Sequence, residues 1–228
     1  MSKDLEFETY LSISPRKLGI YLFDIKNQKN LYKEELIINE NDLLKNFLDD
    51  NIFKIEKLIG NFIENINLII ENENVFNLQI GIKKKNYKKN IEKKILEIAL
   101  TEVKDLLKEN YQEYNIMHIV VNNYIINGKN YSKFINDLDC DSLCLDVSFI
   151  LISNNLVSKV DKVLENYQIK TKRYLSKRYI KNFFKEKDLE LSKIAYRIQN
   201  GHNENEVTLT QKNTKNQGFF EKFFQLFS

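Results

Sequence analysis

Met117-His118-Ile119-Val120-Val121-Asn122-Asn123-Tyr124-Ile125-Ile126-Asn127-Gly128 lies at the middle of the chain. Its β-branched and aromatic residues read as strand pieces, Ile116 to Val121 and Tyr124 to Ile126. Asn127-Gly128 then reads as a tight turn, because both residues tolerate the positive φ that a short hairpin turn requires. Downstream, Leu143 to Ile152 is a strong strand. Ser153 or Asn154 caps a helix carrying Leu156, Val160, Val163, Leu164 and Tyr167. Gln168 to Leu175 reads as another strand, and Ser176 to about Gln199 as helix with a break near Asp188. Asn200 to Gln217 is polar and aperiodic, so a flexible linker is expected there.

Upstream, the chain opens with three strand-like runs. Tyr10 to Ile13 is followed by the turn Ser14-Pro15-Arg16-Lys17, then by Leu18 to Ile25. Leu31 to Ile38 follows the turn Asn27-Gln28-Lys29-Asn30. These spacings imply a meander of two hairpins. Asp49-Asp50-Asn51 offers caps for a helix whose apolar residues, Ile52, Ile55, Ile59, Phe62, Ile66 and Ile69, recur at steps of three and four. Val75 to Ile82 reads as a strand and Lys83 to Asn90 as a basic loop. Asn90 then caps a second helix with Ile91, Ile95, Ile98, Ala99, Val103 and Leu106 on one face.

Composition excludes several functions. The chain has 228 residues, 43% hydrophobic and 29% charged, with 35 basic against 32 acidic residues. That is ordinary globular composition, and a net charge of +3 is too mild to imply nucleic acid as partner. The six glycines, Gly19, Gly60, Gly81, Gly128, Gly201 and Gly218, are scattered. A phosphate loop needs clustered glycines so that backbone N–H groups can crowd an anion, so a nucleotide site of that kind is not expected. Met1 to Glu8 holds no apolar stretch of the signal-peptide type. No apolar run approaches the ~18–20 residues that span a bilayer.

Candidate chemical groups are few. His118 falls in an apolar strand and reads as a satisfied core residue; His202 falls in the polar stretch. Cys140 and Cys144 lack the further N or S ligands that a zinc site needs. No catalytic, cofactor-binding or metal-binding residue is therefore assigned. Two basic stretches, Lys83 to Lys89 and Lys170 to Tyr179, could meet phosphates, but a solvated face is the plainer reading in so lysine-rich a chain.

The last eleven residues, Gly218 to Ser228, read GFFEKFFQLFS. On a helical wheel Phe219, Phe220, Phe223, Phe224, Leu226 and Phe227 share one arc of roughly 160°. Such a helix, about 16 Å long, is too short to span a membrane but fits its interface. These residues, with Lys222, are the expected membrane-binding set; docking on the protein's own core or in a partner's groove are the alternative readings of the same face.

The central stretch resembles "HVIPQEYVVDG" of the bacterial cell-division family FtsA. The family continues with the strand "LEVKVHII", an "N-L-V-K-C-V" helix and a "GLEV" strand. Here stand Leu145 to Ile152, Asn155 to Val160, and Tyr167-Gln168-Ile169, in the same order. The resemblance implies an α/β chain with mixed sheets. Residues 1–82 would be part of an actin-like lobe and 83–175 the family's inserted interaction subdomain. Residues 176–199 would be helices returning to the lobe, 200–217 a disordered linker and 218–228 a membrane-targeting helix. The family's phosphate loop "D-I-G-T" stands here as Ser12-Ile13-Ser14-Pro15, with Ser12, Ser14 and Pro15 replacing the groups that hold Mg²⁺ and phosphate. No second phosphate loop occurs, and the half on which FtsZ docks in the family has no counterpart. The resemblance thus implies a non-enzymatic, cofactor-free adaptor at the cytoplasmic face of the division site. Its partners would be the inner membrane and other division proteins, with self-association a further expectation and FtsZ the weakest. The alternatives are an actin-like assembly factor of pili or secretion systems, or a basic nucleic-acid-binding module.

Overall fold

The computed structural model describes residues 6–38, 43–85, 90–184 and 189–207. In chain order the elements are β1 (Phe7–Ser14), β2 (Lys17–Asp24), β3 (Lys29–Ile37), α1 (Leu44–Ile59), β4 (Asn65–Ile70), β5 (Val75–Lys85), α2 (Lys93–Asn110) and β6 (Tyr114–Ile126). Then come β7 (Lys129–Tyr131), β8 (Ser142–Ser153), α3 (Asn154–Glu165), β9 (Lys170–Ser176), α4 (Lys177–Phe183), α5 (Leu191–Gln199) and β10 (Glu206–Val207). The structure is mixed α/β with two sheets, as expected. The described residues fall into two compact units, one drawn from Met1–Val75 and Ile152–His202, the other from Phe76–Leu151 and Asn203–Ser228.

The first unit is built on a five-stranded sheet of order β3-β2-β1-β4-β9. The expected meander is present: β1–β2 and β2–β3 are antiparallel, while β1–β4 and β4–β9 are parallel. Parallel neighbours need crossover connections. Here α1 lies between β3 and β4 in the chain, and α3 precedes β9. Helices cover both faces. The Tyr167 hydroxyl, just past α3, donates to Asp49 of α1 at 2.7 Å. On the opposite face Tyr10, Phe23, Ile69 and Leu175 of the strands pack with Ile180 of α4 and Ile194 and Ile198 of α5.

The first helix differs from its sequence reading at both ends. It starts at Leu44 rather than after Asn51. Asn51 is buried inside it, donating to the Phe47 carbonyl at 2.7 Å and accepting from the Tyr32 hydroxyl at 2.6 Å. It stops at Gly60, which takes φ +70°, and the Gly60 N–H caps the Glu56 carbonyl at 2.8 Å. A left-handed glycine is a common helix terminator. Beyond it Ile66 and Ile69 belong to β4, whose run of apolar residues from Ile66 to Ile70, broken only by Asn67, is buried as parallel strands usually are. Phe62, expected on the helix's inner face, is 78% exposed.

The second unit has a sheet of order β10-β6-β8-β5, with β7 paired to β6. Its core joins Val121, Tyr124 and Ile126 of β6 and Val147 and Phe149 of β8 to Leu96, Ala99, Leu100 and Leu107 of α2. The inner face of α2 is therefore rotated from the expected one: Ile98 and Leu106 are exposed, and Ile91 is buried ahead of the helix. The Asn127-Gly128 turn is as read, with φ of +49° and +79°. It links Ile126 to Lys129 directly.

Two boundaries differ from expectation. The stretch from Asn200 is not all linker: Glu206 and Val207 pair antiparallel with Val120 and Ile119 and are almost wholly buried. The second compact unit takes in Phe76–Leu151, whereas the resemblance implied one region over 83–175. β5 joins the second sheet, whereas β9 pairs with β4 from Asn65–Lys170 to Ile70–Ser176 and belongs to the first. Strand pairing overrides a boundary drawn from local composition, since a strand joins whichever sheet satisfies its backbone.

Candidate functional site

The turn between β1 and β2 is where the resemblance places a phosphate loop. Ser14 and Lys17 are paired across the strands, so only Pro15 and Arg16 form the turn. The Ser14 hydroxyl donates to the Lys17 carbonyl at 2.8 Å, closing the turn on itself. Ser12 and Ser14 are buried, and Pro15 has no N–H to offer an anion. Ser12, Ser14 and Pro15 are therefore brought together as the sequence implies, in a form that has no carboxylate of its own.

Beside this turn the first unit holds a cleft of about 540 Å³. Its floor is the face of β2 and β3 that carries Lys17, Gly19, Tyr21, Lys33 and Glu35; its far wall comes from α4 and α5. Gly19 is required there. A Cβ at residue 19 would lie 2.5 Å from the Tyr21 hydroxyl oxygen. Without one, the Tyr21 ring lies along β2 and donates to Glu35 Oε1 at 2.7 Å. Lys17 Nζ reaches Glu35 Oε2 at 2.8 Å. Burial alone would raise the Glu35 pKa, but the hydrogen bonds from Lys17 and Tyr21 and the nearby lysine charges outweigh it and hold the carboxyl below its ordinary range. Burial, then the Glu35 hydrogen bond and charge, push the Tyr21 phenol up, so it stays a donor. On the wall, Lys177 pairs with Glu71 at 2.8 Å, and Glu190 accepts from Asn30 at 2.8 Å.

The sequence reading passed over Gly19, Tyr21 and Glu35. The signal was present in Gly19 and Tyr21, which alternate on one face of the strand read from Leu18, with Lys17 one step ahead of it in the expected turn. A glycine between two long polar side chains marks a close approach.

A second groove, of about 370 Å³, opens at the start of β1 and β4 beside Phe62 and Lys172. Its polar groups are tied within the fold. The Tyr10 hydroxyl reaches both Glu8 Oε2 at 2.5 Å and Gln199 Oε1 at 2.8 Å, and Gln199 donates to Asn67 at 2.7 Å.

The remaining candidates are placed as follows. His118 is buried, as read, with its Nδ1 2.7 Å from Glu206 Oε1. Burial, and then the charges of Asp141 and Asp139, raise the Cys140 thiol pKa, which disfavours a nucleophilic thiolate. Among the described residues no three His, Cys, Asp or Glu side chains are placed to share a metal ion. The basic stretch from Lys170 is knitted into the first unit. Tyr174 and Thr171 both donate to Asp161, at 2.5 and 2.6 Å, and Lys172 pairs with Glu8 at 2.8 Å. Its tyrosines are thus not a free stacking surface. Of the other stretch, Lys84 pairs with Glu102, and residues 86–89 lie outside the described residues. The membrane-binding set, Phe219, Phe220, Lys222, Phe223, Phe224, Leu226 and Phe227, also lies outside them. Among the described residues no helix is long and apolar enough to cross a membrane.

No protein-family model and no curated protein matches the chain. Solved structures do. It is similar to the cytoplasmic domain of EpsL, an inner-membrane component of the type II secretion system of Vibrio cholerae, at TM-score 0.41 and 8% identity, over 77% of this chain and 59% of that one. It is similar to a PilM–PilN type IV pilus biogenesis complex at TM-score 0.49 and 11% identity, over 77% of this chain and 49% of that one. A Bacteroides thetaiotaomicron protein described as having an actin-like ATPase fold and unknown function gives TM-score 0.36 and 12% identity, over 80% and 57%. The chain spans about half to three-fifths of the solved chains it matches. None of these three is described as a cell-division protein, and the FtsA resemblance rests on the sequence.

Proposed function

We propose that this chain is a non-enzymatic assembly protein, a binding platform in a membrane-associated machine. The observation that carries the reading is the closed β1–β2 turn. The Ser14 hydroxyl is spent on the Lys17 carbonyl, Pro15 lacks an N–H, and the nearby carboxylate Glu35 is held by Lys17 and Tyr21. A Mg²⁺-nucleotide needs a free carboxylate or hydroxyl and a row of backbone donors at that place. In the cleft, Lys17, Tyr21 and Glu35 bind each other, and Lys177 is paired with Glu71.

Titration with a fluorescent ATP analogue and Mg²⁺ tests this on the full chain. No saturable binding into the high micromolar range is expected. Saturable binding that competes with ATP would overturn the reading.

Pilus or secretion machinery is the setting to test first and cell division the second. The likenesses to EpsL and PilM–PilN, all below a TM-score of 0.5, set that order of tests and no more. The division reading keeps one observation of its own: β6, β8, α3 and β9 follow one another as the FtsA-like segments do. Fluorescent-fusion localisation separates the two, because septal recruitment belongs to division alone. The membrane part of the proposal rests on the Phe219 to Phe227 pattern. Co-sedimentation with anionic liposomes, lost in Phe223→Glu, is its expected result; equal pelleting of both proteins would remove the membrane from the proposal.

A further inference from the structure

We propose that the outer edge of β3 pairs with the same edge of a second copy of this chain, joining two five-stranded sheets around a two-fold axis at Glu34. This goes beyond the assembly reading and does not depend on it.

β3 is an edge strand, and among the described residues nothing pairs with its outer side. The direction of its backbone groups follows from one hydrogen bond. The Ile38 N–H donates to the Arg16 carbonyl at 3.0 Å, so Arg16 and Ile38 form a hydrogen-bonded pair. In an antiparallel ladder such pairs alternate with non-bonded ones. The register runs without a shift from Lys17–Ile37 to Leu22–Tyr32. Glu34 and Leu36 therefore turn their N–H and C=O toward β2. Lys33, Glu35 and Ile37 turn theirs outward, as a ready template for another strand.

A second copy can bond to these groups only if outward-facing residues meet each other. The two residue numbers in each pair must then both be odd, which restricts the dyad to Lys33, Glu34 or Glu35. A dyad at Lys33 sets Lys33 against its own copy, and a dyad at Glu35 sets Glu35 against its own. A dyad at Glu34 sets Lys33 against Glu35 twice, and brings Ile37 to the stretch at Leu31 where β3 shifts register against β2. That register alone complements charge with charge. Ile37, 73% exposed, would be covered. Lys33 is free to turn, being only loosely tied to Glu190 at 3.8 Å with its side chain 44% exposed. The price is Glu34 facing its copy at the axis. The edge strands β5 and β9 lack this complementarity, because they carry lysine or arginine and no carboxylate. The pairing is isologous and closes as a dimer.

Analytical ultracentrifugation of the full chain, 27.2 kDa as a monomer, across the micromolar range tests the pairing. A reversible dimer is expected. Lys33→Glu turns two attractive pairs into repulsive ones and should weaken the dimer about tenfold or more. Ile37→Pro removes an outward N–H that no strand of its own chain uses. It should abolish the dimer while the thermal melt stays within a few degrees of the parent. Glu34→Gln should tighten the dimer several-fold, a gain that misfolding cannot mimic. A monomer at every concentration overturns the proposal. So does a dimer indifferent to these three changes, or one lost instead in Phe223→Glu, which would place the association in the C-terminal segment.

Discussion

Glu35 and Glu206 are each held against side chains of a neighbouring strand, one in each sheet, and they are held differently. Glu35 in the first unit is tied to Lys17 and Tyr21 at the floor of an open cleft, with its side chain 31% exposed. Glu206 in the second is sealed, its side chain 3% exposed and 2.7 Å from His118. Water can replace a lost partner in the cleft but not behind β10. The cost of leaving a polar group unpaired rises steeply with burial. The same bond type is thus a surface arrangement in one sheet and a structural clasp in the other.

Breaking the clasp should have the larger effect. Glu206→Ala removes a buried partner of the His118 imidazole and loosens a strand only two residues long. A loss of about 3 kcal/mol is expected from chemical denaturation; a loss below about 1 kcal/mol would show that the pair does not hold β10.

Gly19→Ala comes next. The new methyl would displace the Tyr21 hydroxyl from above residue 19 and so from Glu35. Overpacking of this kind costs about 1–3 kcal/mol, and Gly19→Ala with Tyr21→Phe should recover little of it if the ring itself is in the way.

The pH response sharpens the comparison from the other side. A carboxyl whose folded pKa is depressed contributes stability that is present above its unfolded value and is lost as pH falls through the folded one. Glu35 is such a group. The urea midpoint of the parent should therefore fall more steeply below about pH 4.3 than that of Glu35→Gln. Parallel acid limbs would mean that the cleft network adds nothing.

The smallest effect belongs to Phe62→Ser. A side chain 78% exposed should change stability by less than about 0.5 kcal/mol. A core residue, which its helical spacing suggested, would cost about 3–5 kcal/mol.

Much of the first unit was legible because its signals are local. Turn residues separate β1, β2 and β3, and Ser153 caps α3, accepting from the Asn155 N–H at 3.2 Å. The Asn127-Gly128 turn follows from φ preferences alone. The misread segments fail for one shared reason. Ile66 and Ile69 extend a helical period by coincidence, and only Gly60 in its left-handed state shows that the helix has ended. In α2, Ile98 and Leu106 fit the amphipathic stripe as well as the buried Leu100 and Leu107 do. Periodicity proposes a face, and the partner surface selects it. At the site, the turn from Ser14 through Pro15 to Lys17 was legible from its residues. The Lys17–Glu35–Tyr21 network was not, because Glu35 comes from the next strand.

By itself, then, the amino-acid sequence determined most of the strands and helices, the tight turn at Pro15, and the phenylalanine pattern of the last residues. Each of these depends on side chains close together along the chain. The tertiary structure alone decided which sheet β5 and β9 join, that Glu206 returns to seal His118, that Tyr21 lies over Gly19, and which backbone groups of β3 face outward. Those outcomes depend on pairing between distant strands. A strand carries the same donors and acceptors whatever its neighbour, so only the assembled sheet assigns them.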